Sequence, residues 1–169
     1  MADIHVCGLS TLVDVIQSSG AKHVISLINS SMEVPYPLSI PLSQRLFLGF
    51  NDIVEKVPGL EPPEKHHAEQ VIDYVTNWNR KDPLVIHCWM GISRSTAGAY
   101  MTMCALRPKE DEYALAEELR RLSPSATPNI RLVQFADDIL GRKGRMIDAI
   151  DEIGRGEDAF EGTPFKISV

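Results

Sequence analysis

A chain of 169 residues, 44% hydrophobic and 24% charged, is long enough for one globular domain with a sizeable core. Its formal net charge of −6 argues against non-specific binding to nucleic acid or to an anionic membrane. Three cysteines, Cys7, Cys88 and Cys104, form an odd set without framework spacing, no apolar run reaches spanning length, and Met1-Ala2-Asp3-Ile4-His5 lacks the features of a secretion signal, so a reducing, cytoplasmic setting is expected.

Ile4-His5-Val6 reads as a short strand. Leu9, Leu12, Val13 and Ile16 recur at helical spacing, and Gly20 ends that helix. His23 to Ile28 reads as a second strand, the Pro-rich Val34-Pro35-Tyr36-Pro37 as loop, and Leu46 to Phe50 as a third strand. Ala68, Val71, Ile72 and Val75 mark a helix ending near Arg80, and Leu84-Val85-Ile86 reads as a buried strand. The small and apolar residues from Thr96 to Leu106 read as a buried helix that stops before Pro108. Three helical patterns follow, on Leu115/Leu119/Leu122, on Ile130/Val133/Leu140 and on Met146/Ala149/Ile150/Ile153. Strands alternating with helices, then helices alone, predict an α/β fold with a central, mostly parallel sheet of about four to five strands and helices on both faces. Residues 1–169 form a single domain in this reading, with 155–169 a C-terminal tail.

Between the Leu84 strand and the buried helix lies His87-Cys88-Trp89-Met90-Gly91-Ile92-Ser93-Arg94-Ser95, a Cys and an Arg separated by five residues. A tight loop feeding a helix N-terminus turns backbone N–H groups inward and adds the helix's partial positive charge, which makes an anion site. Gly91 permits the positive φ such a loop needs. Arg94 offers a planar fork to two oxygens of a tetrahedral anion. The same field favours a thiolate, so Cys88 reads as a nucleophile rather than an inert buried thiol. The carboxyl ends of parallel strands are where active sites of such sheets lie.

This segment resembles the active-site loop of the cysteine-dependent protein tyrosine phosphatases, closest to the compact dual-specificity branch. The resemblance extends loosely from about Ile4 to about Leu140, and is sharp only at residues 84–98 and at Leu122-Ser123-Pro124-Ser125-Ala126-Thr127-Pro128-Asn129. It implies that Cys88 attacks phosphorus, that Arg94 and the loop hold the phosphoryl oxygens, and that Ser95 helps the thiolate leave. It assigns substrate binding to His87, Trp89, Met90, Gly91, Ile92, Ser93 and Asn129, with His87 shaping the loop from outside the pocket. The family usually carries a small residue at the position of Met90 and varied ones at Trp89; here both are large, and they either wall the pocket for a flat phenyl ring or narrow it. The uncharged Trp89, Met90, Ile92 and Ser93 argue against a polyphosphorylated inositol. Asn129 either orients the attacking water or caps the helix beginning at Ile130.

The leaving oxygen of a phosphate ester needs a proton, which in this family comes from an Asp upstream of the Cys, just past a strand. Asp52 fits, 36 residues before Cys88. Its alternative role is to cap a helical turn starting at Ile53. Glu55 is the nearest rival. Asp73 falls on the polar side of its helix, Asp82 at the wrong end of its strand, and Glu64 starts a helix. His66 and His67 lack a third ligand at metal spacing and are expected on an exposed first helical turn. The resemblance implies neither metal nor cofactor. It implies a phosphorylated protein or small phosphomonoester as substrate, with phosphotyrosine foremost and phosphoserine or phosphothreonine as additional esters. The alternatives are a phosphate-binding module of pseudophosphatase type and a rhodanese-type sulfurtransferase, whose loops are commonly one residue shorter and need no acid.

Overall fold

The computed structural model describes residues 2–169. The apolar runs form β1 (Asp3–Gly8), β2 (His23–Ile28), β3 (Arg45–Gly49) and β4 (Leu84–Cys88). β4 lies between β1 and β2, β3 lies outside β2, and all four are parallel. β2 and β4 are buried on both faces, which is why they read as continuous apolar runs rather than as alternation. The register sets Gly8 of β1 beside Cys88 at the carboxyl end of β4.

A fifth strand, β5 (Phe165–Ser168), pairs antiparallel with β1 and completes the order β3-β2-β4-β1-β5. The expectation that 155–169 trails as a tail is corrected here. Only Ile167 of this four-residue edge strand is fully buried, too little alternation to register in the sequence. Lys166 and Ser168 both bind the Asp3 carboxylate and pin the new edge.

The helix α1 (Leu12–Ser19) packs on one face with Cys7, Val24, Val85 and Ile40, and ends at Gly20 in the left-handed region. The other face is covered by α2 (Lys65–Asn77), α3 (Arg94–Leu106), α4 (Glu112–Leu122), α5 (Ile130–Ile139) and α6 (Arg145–Ile153). α3 is buried from Arg94 to Cys104, the expected outcome for a helix with little amphipathic contrast. Gly98 lets it sit close on the sheet, since a Cβ there would lie 2.8 Å from Leu27 and 3.1 Å from Ile86. Behind α3, the buried Arg142 donates to Glu112 at 2.6 Å and to the Cys104 carbonyl at 2.7 Å, which ties the last helices to the core.

α2 departs from its predicted bounds. It begins at Lys65 with Glu64 as its N-cap, as expected, but stops at Asn77 rather than near Arg80, which has φ +55° and lies outside it. His67 is also not exposed, contrary to expectation. Its Nδ1 accepts the Glu64 N–H at 2.9 Å in a capping box, and its ring lies 4.6 Å from that of Phe50. Burial brings its pKa down to about 4.

Candidate active site

The loop from β4 to α3 is shaped by what its carbonyls bind. The Trp89 carbonyl accepts from Leu9 N–H at 2.9 Å and that of Met90 from Gly162 N–H at 2.8 Å. The Ile92 carbonyl accepts from Thr127 N–H at 2.9 Å and from Thr96 Oγ1 at 2.5 Å. The Ser93 carbonyl accepts from Ala97 and Asn129 N–H at 2.9 and 3.2 Å. A carbonyl and the next N–H point opposite ways across a planar trans peptide, so each outward carbonyl turns the following N–H inward. One inward amide has its partner already: Gly91 N–H donates to Cys88 Sγ at 3.2 Å. Gly91 has φ +70°, and a Cβ there would fall 2.8 Å from Gly8 N, so this position demands glycine for both backbone and space.

Cys88 is 3% exposed, and its Sγ lies 3.0 Å from Ser95 Oγ. When the sulfur is a thiolate, the Ser95 hydroxyl is the donor of that bond. The other two thiols have different surroundings: burial pushes Cys7 and Cys104 each up to about 12, so both stay protonated.

Arg94, 5% exposed, has its Nη1 fixed by the Asn29 side-chain oxygen at 2.6 Å and the Phe50 carbonyl at 2.7 Å. Its Nε is buried and has no partner. Buried donors are rarely left unsatisfied, so a guanidinium held on one edge and unpaired at Nε is prepared for an acceptor that enters from outside. Asn29 went unnoticed in the sequence; the one pointer to it was its place just past the carboxyl end of β2.

His87 points away from the cavity, as strand alternation requires. Its Nδ1 lies 3.2 Å from the Cys88 carbonyl and its Nε2 2.7 Å from Ser26 Oγ, which lies 2.6 Å from the Tyr36 hydroxyl. A carbonyl only accepts, so Nδ1 carries the proton, Ser26 donates to Nε2, and Tyr36 donates to Ser26. Burial lowers the His87 pKa to about 4 and keeps this tautomer neutral. Arg45 stacks over the Tyr36 ring at 4.4 Å and closes the outer end of the chain.

Asp52 does not cap a helix, since residues 51–64 form no regular element. Its Oδ1 accepts from Ser93 Oγ at 2.8 Å and from Asn129 Nδ2 at 2.9 Å. The loop bearing it is pinched at its base: Asn51 N–H donates to the Glu61 carbonyl at 2.6 Å, and Glu61 N–H to Asn51 Oδ1 at 2.8 Å. Of its two expected roles, Asn129 takes the helix cap. Its Oδ1 caps α5 through the N–H groups of Arg131 and Leu132, at 3.1 and 3.2 Å, while its amide nitrogen faces Asp52.

Asp52, Cys88, Trp89, Met90, Ile92, Ser93 and Arg94 line one cavity of about 390 Å³. Trp89, which lines it, is 45% exposed. Asp73 lies instead in a separate cavity with His23 and Trp78, and Asp82 precedes the far end of β4. The described residues contain no group of three or more His, Cys, Asp or Glu placed to hold a metal ion.

No protein-family model matches the sequence, and no curated protein sequence matches it. Solved structures do match. The Cydia pomonella phosphatase PTP-2 superposes with a TM-score of 0.64 at 18% identity over 80% of this chain and 84% of that one. DUSP15 gives 0.60 at 19% identity over 92% and 94%. Human DUSP28 gives 0.64 at 12% identity over 83% and 89%. Near-complete coverage in both directions, at an identity this low, means that the chain has the fold of the dual-specificity and tyrosine phosphatases.

Proposed function

We propose that this chain is a phosphatase that hydrolyses phosphotyrosine in proteins, with phosphoserine and phosphothreonine as additional esters, through a cysteinyl-phosphate. The observation that carries the reading is Arg94: buried, fixed at Nη1, unpartnered at Nε, and lining the same cavity as Cys88 and Asp52. The Cys88 thiolate attacks phosphorus in line with the ester oxygen. The S–P bond forms as the P–O bond breaks, and the leaving oxygen takes the proton of Asp52. The inward amides and Arg94 stabilise the equatorial oxygens as preorganised donors. A water then attacks phosphorus and gives a proton to the Asp52 carboxylate. The S–P bond breaks, and Ser95 donates to the departing thiolate. The family resemblance and the solved phosphatases of this fold support the same reading.

Asp52 also argues against a sulfurtransferase, because the polar contacts that orient it serve a proton transfer such a reaction does not use. The buried free thiols support a cytoplasmic location, and no helix among the described residues is long and apolar enough to cross a membrane.

The test is turnover of an aryl phosphate in the presence of EDTA by the wild type, Cys88→Ser and Asp52→Asn. The reading requires wild-type turnover, its loss in Cys88→Ser and a strong reduction in Asp52→Asn. A silent wild type that still binds vanadate would support the phosphate-binding module. Full activity in Asp52→Asn would move the acid to Glu55.

A further inference from the structure

A second cavity of about 400 Å³ adjoins the first and shares Asp52 and Ser93 with it. Its lining is carbon-rich, with Val54, Pro128, Ile130 and Ile150 beside Thr127 and Arg155. Val54 is half exposed there, two residues past the proposed acid.

The charges around this cleft do not suit a second phosphate. Two carboxylates, Asp52 and Asp151, stand in its wall. The one cation, Arg155, is already paired with Asp158 at 2.7 Å. What the cleft offers is apolar surface within one residue's reach of the reacting centre, as the shared Asp52 and Ser93 require. A peptide delivering a phosphotyrosine to Cys88 must lay its neighbouring residues across this rim.

We propose that this cleft is a specificity subsite that takes one apolar side chain, of leucine or isoleucine size, from the phosphopeptide flanking the phosphotyrosine. The proposal rests on the phosphatase reading above. The occupant is part of the substrate chain, not a lipid: a headgroup phosphate would meet the two wall carboxylates, and the chain's net charge of −6 opposes an anionic bilayer.

The experiment walks a leucine through the three positions on either side of a phosphotyrosine in an otherwise alanine-rich peptide and measures kcat/KM at each. The expected result is one position where leucine raises kcat/KM over alanine by roughly tenfold, the usual worth of a few methylenes in a partly enclosed pocket. In Val54→Asp and in Ile130→Asp the leucine-to-alanine ratio at that position should fall toward about one. Ratios near one at every position in the wild type, with the peptides turned over, overturn the subsite and leave the phosphatase reading intact. A leucine preference that survives both variants also overturns it, by placing the preference elsewhere. Turnover confined to phosphoinositide vesicles overturns it in favour of a lipid. No turnover of any phosphate ester defeats the phosphatase reading itself and this inference with it.

Discussion

Asn129 and Asp52 are joined by a single hydrogen bond of 2.9 Å, and the same Asn129 side chain caps α5 with its other end. A residue that sets both a helix start and the aim of the proposed acid gives separable effects on mutation. Asn129→Ala removes both and should cost about 1 kcal/mol of stability, as lost caps do. Asn129→Asp keeps the cap and replaces the donor to Asp52 with a like charge. Its melting temperature should stay near wild type while kcat falls several-fold. Comparing aryl phosphates is the check. The loss should be larger for poor leaving groups, which need the acid, than for good ones.

In the proposed mechanism Arg94 does two jobs with one planar group, fixing itself through Nη1 and offering the rest of its fork to the phosphoryl group. A lysine is a point charge and cannot do both. Arg94→Lys should lower kcat by about 10²–10³-fold, the range for losing a preorganised transition-state donor. Titration with vanadate should show weakened binding in parallel. A variant within threefold of wild type on both readouts would contradict the assignment.

The chain from Tyr36 through Ser26 to His87 ends on the carbonyl of Cys88, the proposed nucleophile. Ser26→Ala strips the buried Nε2 of its donor and should cost about 1–3 kcal/mol in chemical denaturation. Tyr36→Phe leaves Ser26 able to donate to the ring and should cost about 1 kcal/mol or less. If the chain orients Cys88 as well as stabilising the fold, Ser26→Ala will also shift the rate at which iodoacetate alkylates Cys88 while the protein remains folded.

Buried and half-buried histidines shape the acid side of the stability curve, His87 and His67 most strongly and His5 and His23 in the same direction. Burial holds His87 and His67 each down to about 4, whereas an unfolded imidazole takes its proton near 6.5. Between those values the unfolded chain binds more protons than the folded one. Stability is therefore full above about pH 6.5 and declines as pH falls toward 4. Denaturant midpoints at pH 7.5, 6, 5 and 4 should show the decline. His67→Asn, which keeps an acceptor for Glu64 N–H, should make it shallower.

How much of this the sequence disclosed depended on how local each feature is. Cys88, Gly91 and Arg94 fall within one short strand–loop–helix unit, so their spacing pointed to an anion site, whereas the role of Ser95 came from the family resemblance. Asp52 was found from its position past a strand, but its partners were not, because Ser93 and Asn129 come to it from 41 and 77 residues away. His67 misled because a helix start rich in His and Glu reads as solvated, and only the packing of Phe50 shows otherwise. Asn29 and Ser26 carry no periodicity, and β5 is too short to carry any.

The contact from Gly162 to the Met90 carbonyl has a consequence for the order in which the molecule becomes competent. Gly162 sits so near Gly91 that no side chain fits between them, and the stretch leading into β5 is synthesised after Asp52, Cys88 and Arg94. A ribosome that has finished the nucleophile, the arginine and the acid has still not made the donor that holds Met90's peptide outward. The nascent chain therefore carries Cys88, Arg94 and Asp52, and most of the contacts that orient them, before it carries the last anchor of the loop, and the anion site is complete only once synthesis has passed residue 162.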